Sequence, residues 1–254
     1  MNPALNNKVA MVTGGGSGIG RAAALAFADA GASVVVADID VEGGHKTIDA
    51  ISRAGGHSIF VQADVSQAPD VEAAVNRTID EYGRLDCSFN NAGIEGTVGT
   101  RLADYREADW DKLIDINLKG VWLCMKYQLA YMAEQGGGAI VNNASVAGLV
   151  GGTFGSAYYA SKHGVIGLTK AAAIEYGRNG IRVNAVCPGV IKTEMADRLL
   201  QGDKPRESAI TALHPLGRLG SPAEVARAVV WLSSDAASFV TGQALAVDGG
   251  YVAQ

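Results

Sequence analysis

The sequence predicts an α/β protein built as one doubly wound domain, with a seven-stranded parallel sheet and helices on both of its faces. Two observations carry that reading. Short β-branched runs alternate with longer segments of helical period along the whole chain, and parallel neighbours need a crossover, normally a helix, to connect them. The runs Val34-Val35-Val36 and Ile140-Val141 are apolar without alternation, the pattern of strands covered on both faces.

In chain order, strand Val9–Thr13 hands over to a helix over 18–30, Ser33–Asp38 to a helix over 41–54, and a strand over 57–64 to the helix Ala68–Tyr82. The series continues with a strand over 85–90, one long helix over 107–134, strands over 139–144 and 181–187 separated by a helix over 157–176, a helix over 222–234, and strand Ala244–Val247. Gly31 and Gly83 stand where helices should stop. Ser221-Pro222-Ala223-Glu224 is a helix start, combining an N-cap serine, proline at the first helical position and a capping-box glutamate. Residues 188–220 follow neither period, and so long an irregular stretch reads as a binding lid with a short helix of its own. Its Met195, Leu199 and Leu200 suit a lid that closes over something apolar.

The 254 residues could hold one large domain or two small ones, but no repeat, low-complexity tract or linker divides them, so one domain over 1–254 is expected. Hydrophobic residues make up 48% and charged residues 19%, which excludes a disordered chain. A net charge of −5 without a long like-charge run argues against nucleic acid and anionic membrane surfaces, leaving a small molecule as the expected partner. Cys87, Cys124 and Cys187 lie 37 and 63 residues apart, which fits neither a disulfide framework nor a metal-ligand pair. Residues 1–8 carry no secretory pattern and no run of about 18 apolar residues occurs, so a cytoplasmic protein is expected.

Glycine accounts for 33 residues, about twice its usual share, and five of them crowd Thr13-Gly14-Gly15-Gly16-Ser17-Gly18-Ile19-Gly20 between the first strand and the first helix. There the backbone can approach a pyrophosphate, and the helix N-terminus stabilises its charge. The spacing is GxxxGxG at Gly14, Gly18 and Gly20. Asp38 ends the second strand, where a carboxylate accepts hydrogen bonds from ribose hydroxyls and repels a 2′-phosphate. Ser17 and Ile39 add no positive charge, so NAD is expected over NADP.

Tyr158 and Lys162 lie four residues apart on a predicted helix, one turn from each other on the same face. Such a pair is too common to carry an assignment alone. Ser145 at the end of the fifth strand, and Asn117 in the preceding helix, fall with it at the carboxyl ends of the strands, where open α/β sheets bind ligands. His163 has no second metal ligand at helical spacing, and no metal site is expected.

With these motifs the sequence resembles the short-chain dehydrogenase/reductase family. The glycine turn, Asp64-Val65, Asn90-Asn91-Ala92-Gly93, Asn117, Ser145, Tyr158-Tyr159-Ala160-Ser161-Lys162, Pro188-Gly189 with Thr193, and Asp248-Gly249-Gly250 all match its pattern in order. Ala144 departs from it, standing where a second serine is usual. The resemblance implies a Rossmann-type fold and an NAD-dependent oxidoreductase that interconverts a secondary alcohol and a ketone. It implies Tyr158 as acid/base, Lys162 on the nicotinamide ribose, Ser145 on the substrate oxygen, and Asn117 anchoring a water relay to Lys162. Asp64 and Val65 would meet adenine, Asn91, Ala92 and Gly93 the adenosine half, and Pro188, Gly189, Val190, Ile191 and Thr193 the nicotinamide end. Glu95, Val146, Leu149, Phe154 and Met195 are candidates for a substrate pocket suited to a cyclic alcohol or diol. Apolar residues on more than one face of the helix over 107–134, including Ile114, Trp122 and Met125, suggest a homotetramer.

Tyrosine ordinarily titrates near 10, so a phenolate base at neutral pH needs about 4 kcal/mol of stabilisation. A lysine about 4 Å away in an effective dielectric of about 20 supplies about that much, which predicts that Lys162 lowers the Tyr158 pKa. Two other readings remain open at this point, a ketoreductase acting on acyl thioesters and a catalytically silent nucleotide-binding regulatory protein.

Overall fold

In the computed structural model, which describes residues 4–200 and 202–254, the strands are β1 (Val9–Thr13), β2 (Ser33–Asp38), β3 (Ser58–Gln62), β4 (Cys87–Asn90), β5 (Gly138–Asn143), β6 (Ile181–Pro188) and β7 (Ala244–Val247). They form one parallel sheet in the order β3-β2-β1-β4-β5-β6-β7. The chain winds outward from β1 to β3, then returns to place β4 on the other side of β1, pairing Ala10 with Cys87. The switch point between β1 and β4 opens a crevice at the carboxyl ends of the strands.

The helices are α1 (Gly18–Asp29), α2 (Val41–Arg53), α3 (Ala68–Tyr82), α4 (Glu107–Ile114), α5 (Gly120–Gln135), α6 (Ser156–Tyr176), α7 (Glu194–Leu200), α8 (Lys204–Ala212) and α9 (Pro222–Ser233). Successive strand residues point to opposite faces and both faces are buried. Met11, Val35, Ile140 and Val183 pack with Val75, Met125 and Val165 of α3, α5 and α6. Val12, Val34, Val36 and Val141 pack with Phe27, Ile51 and Val229 of α1, α2 and α9. Between β4 and β5 a buried polar cluster replaces apolar contact: the Asn90 side-chain amide donates to Gln128 and to Asn142, each at 3.0 Å, and Asn142 donates to Thr169 at 3.0 Å.

Three elements differ from expectation. The long helix over 107–134 is interrupted at Asp115–Lys119 by a π-turn, in which Gly120 N–H donates to the Asp115 carbonyl five residues back. The irregular stretch after Pro188 holds two helices rather than one. The second starts where Asp203 accepts from Arg206 N–H at 3.0 Å with Pro205 in the first turn, a cap-and-proline signal present in the sequence. The strand over 85–90 begins only at Cys87, because the Leu85 N–H is taken by Gln135 Oε1 at 3.0 Å. The capping box at Ser221 and Glu224 forms as expected, with Ser221 N–H donating to Glu224 at 2.8 Å.

Candidate active site

The turn after β1 is folded against its neighbours so closely that side chains have no room. Gly14 has φ +63° and a Cβ there would come within 2.8 Å of Ala92 Cα; at Gly20 a Cβ would strike the Gly14 carbonyl. Gly20 therefore packs α1 onto β1 and does not face the crevice. The Asp38 carboxylate accepts from Gly16 N–H at 2.7 Å and from Asp40 N–H at 2.9 Å, which fixes it beside the turn. Arg21, a cation at the same place, is already engaged with the Gly16 carbonyl and with Thr47, whose hydroxyl donates to Gly15 O at 2.9 Å.

Across the switch point, Asn91 donates to the Thr13 and Gly14 carbonyls at 3.1 and 3.0 Å, and accepts from Asn143 at 2.9 Å. Asn143 in turn offers its backbone carbonyl to Lys162 Nζ at 2.8 Å. Lys162 Nζ lies 5.5 Å from the centre of the Tyr158 ring, and Phe154 meets the same ring edge-on at 5.0 Å. The Ser145 hydroxyl accepts from Ala147 N–H at 3.1 Å, which holds the turn after β5 open towards Tyr158. Asn117, fully buried in the π-turn, accepts from Ile94 N–H and donates to the Ile94 carbonyl, both at 2.8 Å. It clamps the loop after β4 and makes no wall of the crevice.

One cavity of about 990 Å³ joins these parts. It starts at Ser17, Asp38 and Ile39, passes Gly14, Asp64, Val65 and Asn91–Gly93, and reaches Ser145, Tyr158 and Lys162. Gly18, Ile19, and the segment of Pro188, Gly189, Val190, Ile191 and Thr193 line it from the other side. Val146, Phe154 and Met195 close its far end, together with Leu199, Ile210 and Leu213 from the stretch over 188–220. A glycine-lined turn at one end, a carboxylate beside it and a phenol–ammonium pair at the other fit an elongated dinucleotide with a small substrate beyond it.

A family model described as enoyl-(acyl carrier protein) reductase matches residues 14–252. The chain is 47% identical over 250 residues to the 2,5-dichloro-2,5-cyclohexadiene-1,4-diol dehydrogenase of Sphingobium indicum, covering 98% of each. It is 46% identical over 254 residues to the cyclohexanol dehydrogenase of an Acinetobacter strain, covering all of this chain and 98% of that one. It superposes on the crystal structure of a short-chain type dehydrogenase/reductase from Mycobacterium marinum with a TM-score of 0.94, at 34% identity over 100% and 98% of the two chains. The chain belongs to the short-chain dehydrogenase/reductase family. It is an oxidoreductase of the alcohol-dehydrogenase type that uses a nicotinamide cofactor.

In this short-chain dehydrogenase the electrostatics of the tyrosine–lysine pair depart from the simple expectation. Burial pushes the Tyr158 phenol up to about 12, against a smaller opposing pull from the Ser145 hydroxyl. Burial likewise draws Lys162 down to about 8. The reason is enclosure: both groups sit away from water, so loss of solvation dominates at each, and Lys162 directs an N–H at the Asn143 carbonyl.

Two pocket candidates are corrected. Glu95 does not line the cavity; its carboxylate is held by the Arg198 guanidinium of α7 at 2.7 and 3.1 Å, and Arg198 is the one that faces the cavity. Leu149 is partly exposed and stands outside the cavity wall. His163 is exposed with Nδ1 against the Tyr159 carbonyl. Sequence reasoning passed over Thr13, whose hydroxyl accepts from Asn91 and Ala92 N–H, and over Asn143 and Arg198. The Asn142-Asn143 pair immediately before Ala144-Ser145 was the available signal for Asn143.

Proposed function

We propose that this chain is an NAD-dependent dehydrogenase that oxidises a secondary alcohol carried on a small apolar ring, or reduces the corresponding ketone, with residues 188–220 as its substrate lid. The observation that carries the reading is the single cavity that joins Asp38 at one end to Ser145, Tyr158 and Lys162 beneath an apolar roof at the other. The names of two relatives, a cyclohexanol dehydrogenase and a cyclohexadienediol dehydrogenase, support a ring substrate.

Asp38 takes the adenosine ribose hydroxyls and repels a 2′-phosphate; the commitment of Arg21 to Gly16 and Thr47 leaves that guanidinium engaged elsewhere. Asp64, Val65 and Asn91 to Gly93 receive the adenosine half, the glycine turn the pyrophosphate, and Gly189 to Thr193 the nicotinamide end. The bound nicotinamide supplies the hydride acceptor for oxidation and the donor for reduction. Ser145 donates to the substrate oxygen; Tyr158, once it has released its own proton, takes the hydroxyl proton, and in reduction the neutral phenol gives its proton to the ketone oxygen. Lys162, still mostly protonated at neutral pH, favours the phenolate and passes the proton on to solvent, while Asn117 holds the loop after β4 in place. Val146, Phe154 and Met195 grip the ring, and Arg198 paired with Glu95 closes the lid.

Exposed Trp110 and Trp122, on α4 and α5, and Ile174 on α6 support a homotetramer. The three buried free cysteines support a reducing, cytoplasmic setting; no helix among the described residues is long and apolar enough to cross a membrane. The test is a panel of cyclic secondary alcohols and their ketones with NAD(H) and NADP(H), followed at the nicotinamide absorbance band. Turnover of ring alcohols with NAD is the expected result. A strong preference for NADP overturns the Asp38 assignment, and silence towards every alcohol and ketone overturns the substrate class.

A further inference from the structure

His214 lies just beyond α8, and only 2% of it is exposed. Both ring nitrogens are bonded. Nδ1 faces the Ile210 carbonyl at 3.0 Å, and Nε2 faces Val190 N–H at 3.1 Å. A carbonyl can only accept and an amide N–H can only donate, so Nδ1 donates and Nε2 accepts. The Tyr251 ring meets it at 5.4 Å, closing the side towards the C-terminal segment. Gly189 has no side chain where a Cβ would come within 2.8 Å of Nε2.

The contact matters because of what it holds. The Val190 carbonyl accepts from Gly220 N–H at 3.0 Å, and Lys192 N–H donates to the Gly220 carbonyl at 2.9 Å. The backbone of 190–192 is thus fixed on one side by Gly220 and on its amide by His214. Ile191 and Thr193 leave that clamp to line the cavity, and Thr193 also accepts from Ala196 N–H at 3.3 Å at the start of α7. The other end of the imidazole is tied to the last turn of α8, so one ring links α8 to the 190–193 segment that lines the cavity.

We propose that His214 is a positioning residue for the nicotinamide end of the cofactor cleft, acting through the Val190 amide. This rests on the proposed placement of the nicotinamide against residues 189–193. Two variants separate the acceptor from mere bulk: His214→Leu fills the space without accepting, and His214→Gln puts an amide oxygen near the place of Nε2. Binding of NADH without substrate, by protein fluorescence, and hydrogen exchange of the 189–193 backbone in the cofactor-free protein are measured alongside steady-state kinetics. In His214→Leu the expected result is about a tenfold rise in NADH Kd and cofactor KM, the equivalent of about 1.4 kcal/mol. Its kcat at saturating cofactor should change by less than about threefold, and exchange at 189–193 should be faster. His214→Gln should recover most of both. An unchanged Kd and unchanged exchange in a folded His214→Leu, or a His214→Gln as weak as the leucine variant, overturns the proposal. If the exchange results hold while neither NADH nor NADPH binds the wild type, the cofactor placement fails and takes the cofactor role of His214 with it, leaving only the clamp.

Discussion

Lys162 and Tyr158 share one enclosed corner of the cavity, Nζ lying 5.5 Å from the centre of the phenol ring and bonded to the Asn143 carbonyl at 2.8 Å. In the protein alone, desolvation keeps the phenol neutral and weakens the hold of the ammonium on its proton. The corner is costly to the fold and useful to the reaction, and the two sides can be measured separately.

Replacing Tyr158 with phenylalanine removes only the hydroxyl proposed as the acid/base and leaves the ring contact with Phe154. Turnover should fall by about 10²–10⁴-fold, the usual contribution of a positioned acid or base. NADH affinity, titrated by fluorescence, should stay within about threefold of wild type; retained turnover would remove Tyr158 from the mechanism.

Lys162 is a base whose folded pKa is drawn down, from an ordinary value near 10.5 to about 8. Below pH 8 both folded and unfolded chains carry the charge, and the folded one bears its desolvation cost in full. As pH rises from 8 towards 10.5 the folded chain loses the proton first, so this cost fades and stability rises. Lys162→Met should therefore abolish turnover yet stabilise the cofactor-free protein at neutral pH by about 2 kcal/mol after loss of the Asn143 bond, seen as a higher Tm. The advantage over wild type should shrink as pH approaches 10, and a methionine variant that melts lower than wild type at neutral pH would contradict the account.

Asp38→Asn keeps an acceptor for Gly16 N–H while removing the negative charge. The ratio of kcat/KM for NAD to that for NADP should fall by about tenfold or more, about 1.4 kcal/mol of lost discrimination. Assays with both cofactors at fixed ionic strength read it directly.

The Glu95–Arg198 pair ties the loop after β4 to α7, with the Arg198 side chain 59% exposed and that of Glu95 19%. A pair this open to water is worth about 0.2–1 kcal/mol and is weakened by salt. Arg198→Gln should raise substrate KM about two- to fivefold with cofactor KM unchanged, and added salt should raise KM in wild type but much less in the variant. A salt response identical in the two proteins would show that the pair does not hold the lid.

Much of this site can be read from short-range spacing. Gly14, Gly18 and Gly20 fall in one turn, Asp38 ends a strand whose apolar run is unbroken, and Tyr158 and Lys162 lie one helical turn apart, all properties of local sequence. What escapes is long-range. Asn117 reaches back 23 residues to grip Ile94, and the π-turn that carries it leaves no mark on the apolar pattern of the helix. Glu95 and Arg198 are 103 residues apart, so their partnership depends on how α7 packs against the loop after β4. The tyrosine pKa could not be judged from charge spacing because it depends on how completely the corner excludes water.

The pairing of Ala10 with Cys87 joins residues 77 positions apart, and the crevice exists only where that pairing brings β4 beside β1. Such a contact must wait for a long loop to close. Neither the segment up to β3 nor the segment from β4 onward has a dinucleotide cleft by itself. A ligand in the crevice therefore rewards a late event on the folding route, slowing unfolding far more than it hastens refolding. In the cell, the supply of cofactor would then set how long each molecule lasts as well as how fast it works.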